Sequence, residues 1–531
     1  MRVSLAVCVG LLGSGSLAQP VFMPLSRAVE RPWAPALHAA GAGTHTAIRP
    51  YRHDELAALP VADSLRPTAV LPALDRWSGR ATPRTWRWGP LADAVAGASF
   101  NEEDVMKYRA GLGFWAQADA GKNLSFHLDA QGWSERLPDH VDALAYAAHV
   151  TPAEGYAYRD GPDVRHFDVN GHVSWDPGRF FNITAGRGRN AFGEGHRSLM
   201  LSDGTYAYPY LRITTTVWKV RYVNLFARMS DISGHRGDIG TEQGKFTSMH
   251  YLSWNVLDRL NVALFEAIVW SPGDSLHPRG FDFNYVNPII FYRPVEYQQG
   301  SPDNALLGAA INVKVGRSGL IYSQLVLDEL LMKEVRAGDG WYANKQAVQL
   351  GVVLHDAFRM RGLRLRGEWN FVRPFMYAHG DPVQNFAHYG QPLAHPYGSN
   401  FQEAVAHAGL DRGRWSYGLR ASMAWLGTDT DRNFGNDIFR PDNDRGTLAN
   451  GRPRTHGYRV GMGRLQTLFH GELSAGLLLD PATATRLEAA FMLRHHAMAG
   501  GAEHVTAFAR LGLVCHFRER HPEQAVRYVL P

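Results

Sequence analysis

The sequence predicts an all-β protein, namely a transmembrane antiparallel β-barrel of about 18 strands with an N-terminal periplasmic segment and inward-folded loops. Three observations predict this fold. Segments of about ten residues alternate apolar and polar side chains, as strands of outer-membrane barrels do. Short turns alternate with long connections along the chain. No stretch has the run of about 18 apolar residues that a spanning helix needs, so a membrane location requires a closed barrel.

Composition excludes several other classes. The chain has 531 residues, of which 45% are apolar and 11% aromatic, so it can bury a core and is not disordered. Its mean hydropathy of −0.26 is too polar for a bundle of membrane helices. The net charge is only +5, and the basic residues are dispersed, which argues against nucleic acid as a partner.

The N-terminus has the pattern of a secretory signal. An apolar run from Val3 to Leu12 follows Arg2, and Ser16-Leu17-Ala18 offers small residues for cleavage. We therefore expect residues 1–18 to be a signal peptide; the alternative is a buried N-terminal helix. Cys8 lies in that segment, so Cys515 remains without an intrachain disulfide partner.

Residues 19–85 are rich in Pro and Ala, and we expect a periplasmic arm or plug there. Residues 86–517 are expected to form the barrel, with residues 518–531 as a C-terminal tail. Within the barrel the period is two: Tyr108, Leu112 and Phe114 share one face, while Arg109 and Gln117 share the other. The same alternation recurs in the segments 124–131, 166–175, 363–371 and 486–494. A soluble β-sandwich or propeller is the alternative, but it would not need so many strands with charged inner faces.

The connections fall into two length classes. Short turns are predicted near 119–123, 176–179, 257–259, 316–319, 356–360, 411–414 and 480–484. Long connections are predicted near 134–164, 189–209, 231–244, 271–304, 329–344, 372–401 and 427–465. Seventeen strands are clear in the sequence. Because a single-chain bacterial barrel has an even number, Pro90–Ser99 is the candidate for the missing one.

The last predicted strand, Val505–Phe517, places Cys515 and Phe517 on its apolar outer face. With Arg510 and Gly512 they resemble the polar, glycine, hydrophobic, aromatic pattern that ends many outer-membrane barrels. A tail follows Phe517, whereas such barrels usually end at the aromatic residue.

No convincing catalytic constellation is present in the sequence, so we expect a non-enzymatic protein without a cofactor or metal. Asp328-Glu329 is the one tight acidic pair, but adjacent residues of a strand point to opposite faces and make a poor acid–base pair. The same argument separates His495 from His496 as metal ligands. His388 and His395 flank a proline-containing loop and are read as ordinary polar residues.

Two loops combine glycine, arginine and aromatic residues, which suits either carbohydrate contact or an inward fold that plugs the lumen. Both alternatives stay open at this stage. The candidate residues are Arg187, Arg189, Glu194, His196 and Arg197 in the first loop and Tyr292, Arg293, Glu296, Tyr297 and Gln298 in the second.

The stretches GRGRNAFGEGHRSLMLSD, YPYLRITTTVWKVRYVNLFA, FNYVNPIIFYRPVEYQQGSPDNALLG and AHYGQPLAHPYGSNFQE resemble the Wzi-type capsule-assembly barrels of Bacteroidota, a group that includes RemB-like gliding-motility proteins. The resemblance covers roughly residues 85–517. It implies an outer-membrane barrel that contacts lipid and takes part in attachment or assembly of capsular or surface polysaccharide. The alternative is a gliding or adhesion component with a protein partner from the gliding or export machinery; a porin is a further alternative.

Overall fold

A computed structural model describes residues 20–61, 86–232, 242–273, 279–289, 303–501 and 503–519. The predicted signal peptide, residues 1–18, lies outside these ranges. None of the helices in the described ranges is long and apolar enough to cross a bilayer. The fold is a closed antiparallel barrel of 18 strands, as predicted.

The barrel strands are numbered here in chain order. They are β1 (Trp86–Ser99), β2 (Met106–Ala120), β3 (Leu124–Arg136), β4 (Asp163–Gly178), β5 (Phe181–Gly188), β6 (Tyr208–Val217), β7 (Val220–Asp231), β8 (Gln243–Leu257), β9 (Leu260–Trp270), β10 (Asn304–Val315), β11 (Gly319–Leu327), β12 (Gln346–His355), β13 (Leu363–Val372), β14 (Phe401–Arg412), β15 (Trp415–Thr428), β16 (Arg464–Asp480), β17 (Thr485–Met498) and β18 (Glu503–Val514).

The first and last strands close the barrel. Ala94 of β1 lies opposite Leu513 of β18, and β1 pairs with β2 along its other edge. The strand expected at Pro90–Ser99 is therefore real and begins earlier, at Trp86. The even strand number brings both ends of the barrel chain to the same end as the short turns, which we call the short-turn end. The opposite end, the long-loop end, carries the long connections.

The predicted alternation of faces is also observed. Leu112 and Phe126 point outward and are 78% and 41% exposed, while Asp129 and Glu135 point inward and are buried. An outer surface of apolar side chains around a polar interior is the pattern of a barrel in lipid. The protein is thus an outer-membrane β-barrel.

The N-terminal segment, residues 20–61, lies inside the barrel at the short-turn end. It contains the short helices α1 (Arg27–Glu30), α2 (Ala34–Leu37) and α3 (His53–Ala57). Polar contacts hold it to the wall: Arg52 donates to the Asp176 carboxylate of β4 at 2.9 and 2.8 Å, and Arg221 of β7 donates to Glu55 at 3.1 and 2.6 Å.

Two long loops also fold inward, from residues 189–207 and 373–400. Their apolar side chains pack against the inward faces of β7 to β16 in one core, in which Phe192 stacks on Tyr251 with ring centres 4.8 Å apart. Ile48–Arg49 of the N-terminal segment pairs with Ala191–Phe192 of the first loop, so the segment and the loop pack together inside the barrel. A large part of the barrel interior is therefore occupied by protein.

The end of the last strand differs from the prediction. Strand β18 ends at Val514, and Cys515 and Phe517 are buried inside the barrel instead of facing lipid. The physical reason is that the inward Asp93 carboxylate accepts a hydrogen bond from the Cys515 backbone N–H at 2.8 Å. The chain then continues into the lumen, where Phe517 stacks on Trp115 and Arg518 pairs with Asp129 and Asp168.

The outward face gives a test of the membrane location. Leu112 lies midway along β2, and Trp218 lies in the β6–β7 turn with nearly the same exposure, 77%. A charge costs about 2–4 kcal/mol at the bilayer midplane and about 0–1 kcal/mol near the interface. We expect Leu112→Arg to destabilise the folded barrel by about 2–4 kcal/mol, measured by denaturant unfolding in lipid vesicles.

Trp218→Arg is the matched control, and we expect it to cost about 1 kcal/mol or less. Equal costs for the two variants would contradict the placement of the Leu112 level in the hydrocarbon region.

Candidate functional site

The first loop singled out by the sequence, residues 189–207, is fastened inside the barrel by buried charges. The Arg197 Nε donates to both carboxylate oxygens of Glu403 on β14, at 3.1 Å each. The same carboxylate is 2.8 Å from the His395 Nε2 of the second inward loop. Both Arg197 and Glu403 are almost fully buried, so this ion pair joins the two loops to the wall.

Glu368 of β13 holds the loop backbone beside that pair. Its carboxylate accepts hydrogen bonds from the backbone N–H groups of His196 and Arg197, at 2.6 and 3.2 Å. It also accepts one from the Tyr322 hydroxyl, at 2.7 Å. His196 is thereby directed toward His407, with ring centres 4.4 Å apart.

Glu194 connects the loop to the N-terminal segment. The Thr46 hydroxyl donates to its carboxylate, and the His38 Nε2 lies 4.0 Å away. Burial raises the pKa of Glu194, and the Thr46 hydrogen bond opposes that shift. Glu194 therefore links the first loop to the N-terminal segment.

Arg187 and Arg189 lie where β5 ends. The Arg187 guanidinium donates to Asp168 at 2.8 Å and lies over the Tyr206 ring, 4.6 Å from its centre. Arg189 donates to the Asp203 carbonyl at 3.0 Å. All five first-loop candidates are thus engaged with protein groups of the wall or the loops.

The second predicted loop is only partly described. Tyr292, Arg293, Glu296, Tyr297 and Gln298 lie outside the described residues. After them, Asp303 accepts two hydrogen bonds from Arg279, both at 2.8 Å. A glycan contact by this loop stays a prediction.

The acidic pair Asp328 and Glu329 was expected to point to opposite faces, and this is wrong, because the strand ends at Leu327 and both carboxylates converge on one lysine. Both carboxylates surround the Lys345 ammonium, at 3.6 and 3.3 Å, and Asp442 completes the group at 2.7 Å. Burial raises the pKa of Asp328 to about 7, although Lys345 opposes the shift. This network joins the 328–345 and 429–463 loops.

His495 and His496 do not converge. His496 points inward to Gln466 at 3.0 Å, while the neighbouring His495 lies 3.4 Å from Glu503 on the outer side, as the strand geometry predicts. Within the described ranges, one trio has ligand atoms within 4.8 Å of one another: Glu334, Asp339 and His456. Its members come from two loops far apart in sequence, so no local motif could reveal them.

The lumen also holds a cavity of about 370 Å³. It lies between the N-terminal segment and the inward faces of β12 to β18 and β1 to β3. At the long-loop end its lining includes Lys107, Glu135 and His140; at the short-turn end it includes His355 and His516. The cavity therefore extends along the barrel axis between the two ends.

Arginines concentrate at the short-turn end of this cavity. Arg364 of β13 and Arg486 of β17 point inward, with Arg420 of β15 and Arg31 of the N-terminal segment nearby. Arg31 donates to Asp411 at 3.1 Å. The alternating pattern marks Arg364 and Arg486 as inward residues, but no sequence signal brings β13 and β17 to one cavity.

No family model matches the sequence, and no curated protein matches it. Several solved structures are similar in fold. They include Acinetobacter baumannii OccAB4 (6% identity, 81% of this chain, 97% of that chain, TM-score 0.43), Pseudomonas aeruginosa OprD (11%, 81%, 94%, 0.40) and Pseudomonas aeruginosa OpdK with vanillate (8%, 81%, 97%, 0.43). At such identities the likeness concerns the fold alone.

The predicted role in attachment or assembly of capsular polysaccharide is wrong, because the matching barrels are OprD- and Occ-type outer-membrane porins and not capsule-assembly proteins. The alternative role in gliding or adhesion is not favoured either. The resemblance to Wzi-type barrels itself stays a prediction, as do the polysaccharide and protein partners.

The Arg197–Glu403 pair gives a test of how the loop is held. Removing one partner of a buried ion pair costs about 3–5 kcal/mol, because the other charge stays buried and uncompensated. We expect Arg197→Met to lower the free energy of unfolding by about that amount, and the double variant Arg197→Met/Glu403→Gln to lower it less. Urea unfolding in detergent measures both.

Arg187→Met is the control, because Arg187 is partly exposed and its ion pair with Asp168 should contribute about 1 kcal/mol or less. A loss for Arg197→Met no larger than for this control would contradict the proposed fastening.

Proposed function

We propose that this protein is an outer-membrane channel for small hydrophilic solutes, which diffuse through the cavity that the inward loops and the N-terminal segment leave open. The observation that carries the proposal is the cavity itself. One continuous cavity is lined by Lys107 near the long-loop end and by Arg486 near the short-turn end. A barrel that only anchors a partner has no need of such a path.

The lining supports passage of polar solutes. Charged and polar side chains face the cavity from the wall, among them Arg109 and Glu135 on one side and Glu472 and Arg510 on another. Many of these are already paired, as Arg510 is with Glu488 at 2.8 Å and with Glu472 at 3.1 Å. Such a lining solvates a hydrophilic solute without a large desolvation cost.

The segments that fold into the lumen explain why the cavity is narrow. Eighteen strands would enclose a wide aqueous lumen if it were empty. Here the N-terminal segment and two inward loops occupy one side, which leaves a cavity of about 370 Å³, near the lower end of small-molecule sites. The proposal is therefore a channel for small molecules with some selectivity.

Site-specific thiol modification tests this function. Ser474 of β16 lines the cavity, whereas its neighbour Leu473 points outward and is 57% exposed. We expect purified protein to conduct in planar bilayers. In a Cys515→Ala background, a bulky methanethiosulfonate reagent should reduce the single-channel current of Ser474→Cys, because the adduct narrows the passage.

The same reagent should leave the current of Leu473→Cys unchanged, since that side chain faces lipid. Absence of any channel current from folded protein would refute the function. Equal block of both variants would refute the assigned path.

A further inference from the structure

The short-turn end of the cavity contains two arginines that pair with no carboxylate in the described ranges. Arg364 and Arg486 have no hydrogen bond or ion pair with any residue in the described ranges, and the buried Arg486 Nε has no partner there. Arg486 is only 6% exposed. We propose that these two arginines, with Arg31 and Arg420 beside them, bind a small anion that carries at least two negative charges on oxygen atoms.

The wall is shaped to hold these side chains. Gly409 lies directly across from Arg364, and a Cβ at Gly409 would be 2.8 Å from the Arg364 Nη2. A Cβ at Gly476 would be 3.1 Å from the Arg486 Cδ. A glycine on β14 and another on β16 thus leave space for two arginines to lie over the wall and reach the cavity.

Other lumen arginines show what a fully paired guanidinium looks like here. Arg510 contacts two carboxylates, Glu488 and Glu472, and Arg518 contacts Asp129 and Asp168. A buried charge without a partner is costly, so pairing is the usual arrangement. Arg494 of β17, toward the long-loop end, also has no such partner among the described groups, but Arg364 and Arg486 lie together at one end of the cavity.

The charge balance indicates the class of ligand. Arg31, Arg364 and Arg486 lie near one described carboxylate, Asp411, which already accepts from Arg31 at 3.1 Å. Glu488, the other acid near Arg486, is engaged by Arg510 and His516. Guanidinium groups bind carboxylate, phosphate and sulfate oxygens with paired hydrogen bonds. An anion with two charges would compensate both unpaired arginines, whereas chloride offers neither the charge nor the geometry.

The inference deepens the proposed function, since it rests on the same cavity and names the solute that would be recognised at its mouth. Binding does not need passage, however, and can be measured on the folded full chain in detergent. Isothermal titration at constant ionic strength would use sulfate and succinate as divalent probes, with chloride and acetate as monovalent ones.

We expect saturable binding of sulfate, succinate or both, and weak or no binding of the monovalent ions. Arg364→Gln and Arg486→Gln should each weaken divalent binding roughly tenfold or more, which corresponds to one lost charge-assisted interaction. Arg486→Lys should give an intermediate loss, because it keeps the charge without the paired donors. The control is Arg317→Gln, an exposed arginine in the β10–β11 turn at the same end, which should bind as the parent does.

Absence of saturable divalent binding, or binding that both glutamine variants leave intact, would overturn the inference. A channel current without binding of divalent anions would support the channel function and refute the anion site. Binding of divalent anions without a channel current would support the anion site and refute the channel function.

Discussion

Closure of the hydrogen-bonded sheet is the constraint on which the rest of this molecule depends. In hydrocarbon an unpaired backbone N–H or C=O costs several kcal/mol, so the outer edges of β1 and β18 must pair with each other. Their pairing, as at Ala94 and Leu513, removes those edges. An antiparallel ring with an even strand number then brings both strand termini to the short-turn end. The N-terminal segment and the residues after Val514 enter the lumen from that end for this reason.

The second constraint is electrostatic: charged side chains that point into the closed barrel need partners of opposite charge. The protein meets it with segments from distant parts of the chain: Arg52 with Asp176, Arg197 with Glu403, and Arg518 with Asp129 and Asp168. Buried ion pairs add little net stability compared with apolar packing. We infer that they act mainly to specify where each segment docks, while the apolar core around Phe192 and Tyr251 supplies most of the stabilisation.

The sequence predicted the strands well because their signal is local. Lipid on one side and the lumen on the other impose a period of two on each strand, and glycine-rich turns separate them. The interior could not be predicted in the same way: Arg518 and Asp129 are 389 residues apart, and no periodicity links them. Cys515 and Phe517 were misassigned because an alternating pattern continues past Val514, whereas the Asp93 contact that turns the chain inward is not local. The functional prediction failed for a related reason, since short loop motifs do not report how much of the lumen stays open.

The lumen contains a packed region, where loops contact the wall, and a cavity, where two arginines have no described partner. The inward loops pack against the faces of β7 to β16, and Glu368 of β13 and Glu403 of β14 hold the first of them. Between the N-terminal segment and the inward faces of β12 to β18 and β1 to β3 the protein leaves a cavity, and Arg364 and Arg486 at its short-turn end pair with no described carboxylate. If those arginines served only to fasten the plug, each would be expected to face a carboxylate, as Arg52 and Arg221 do. Arg364 and Arg486 do not, and they lie over glycines that keep the cavity open beside them. The excess charge is therefore better explained by a mobile anion than by the architecture of the barrel.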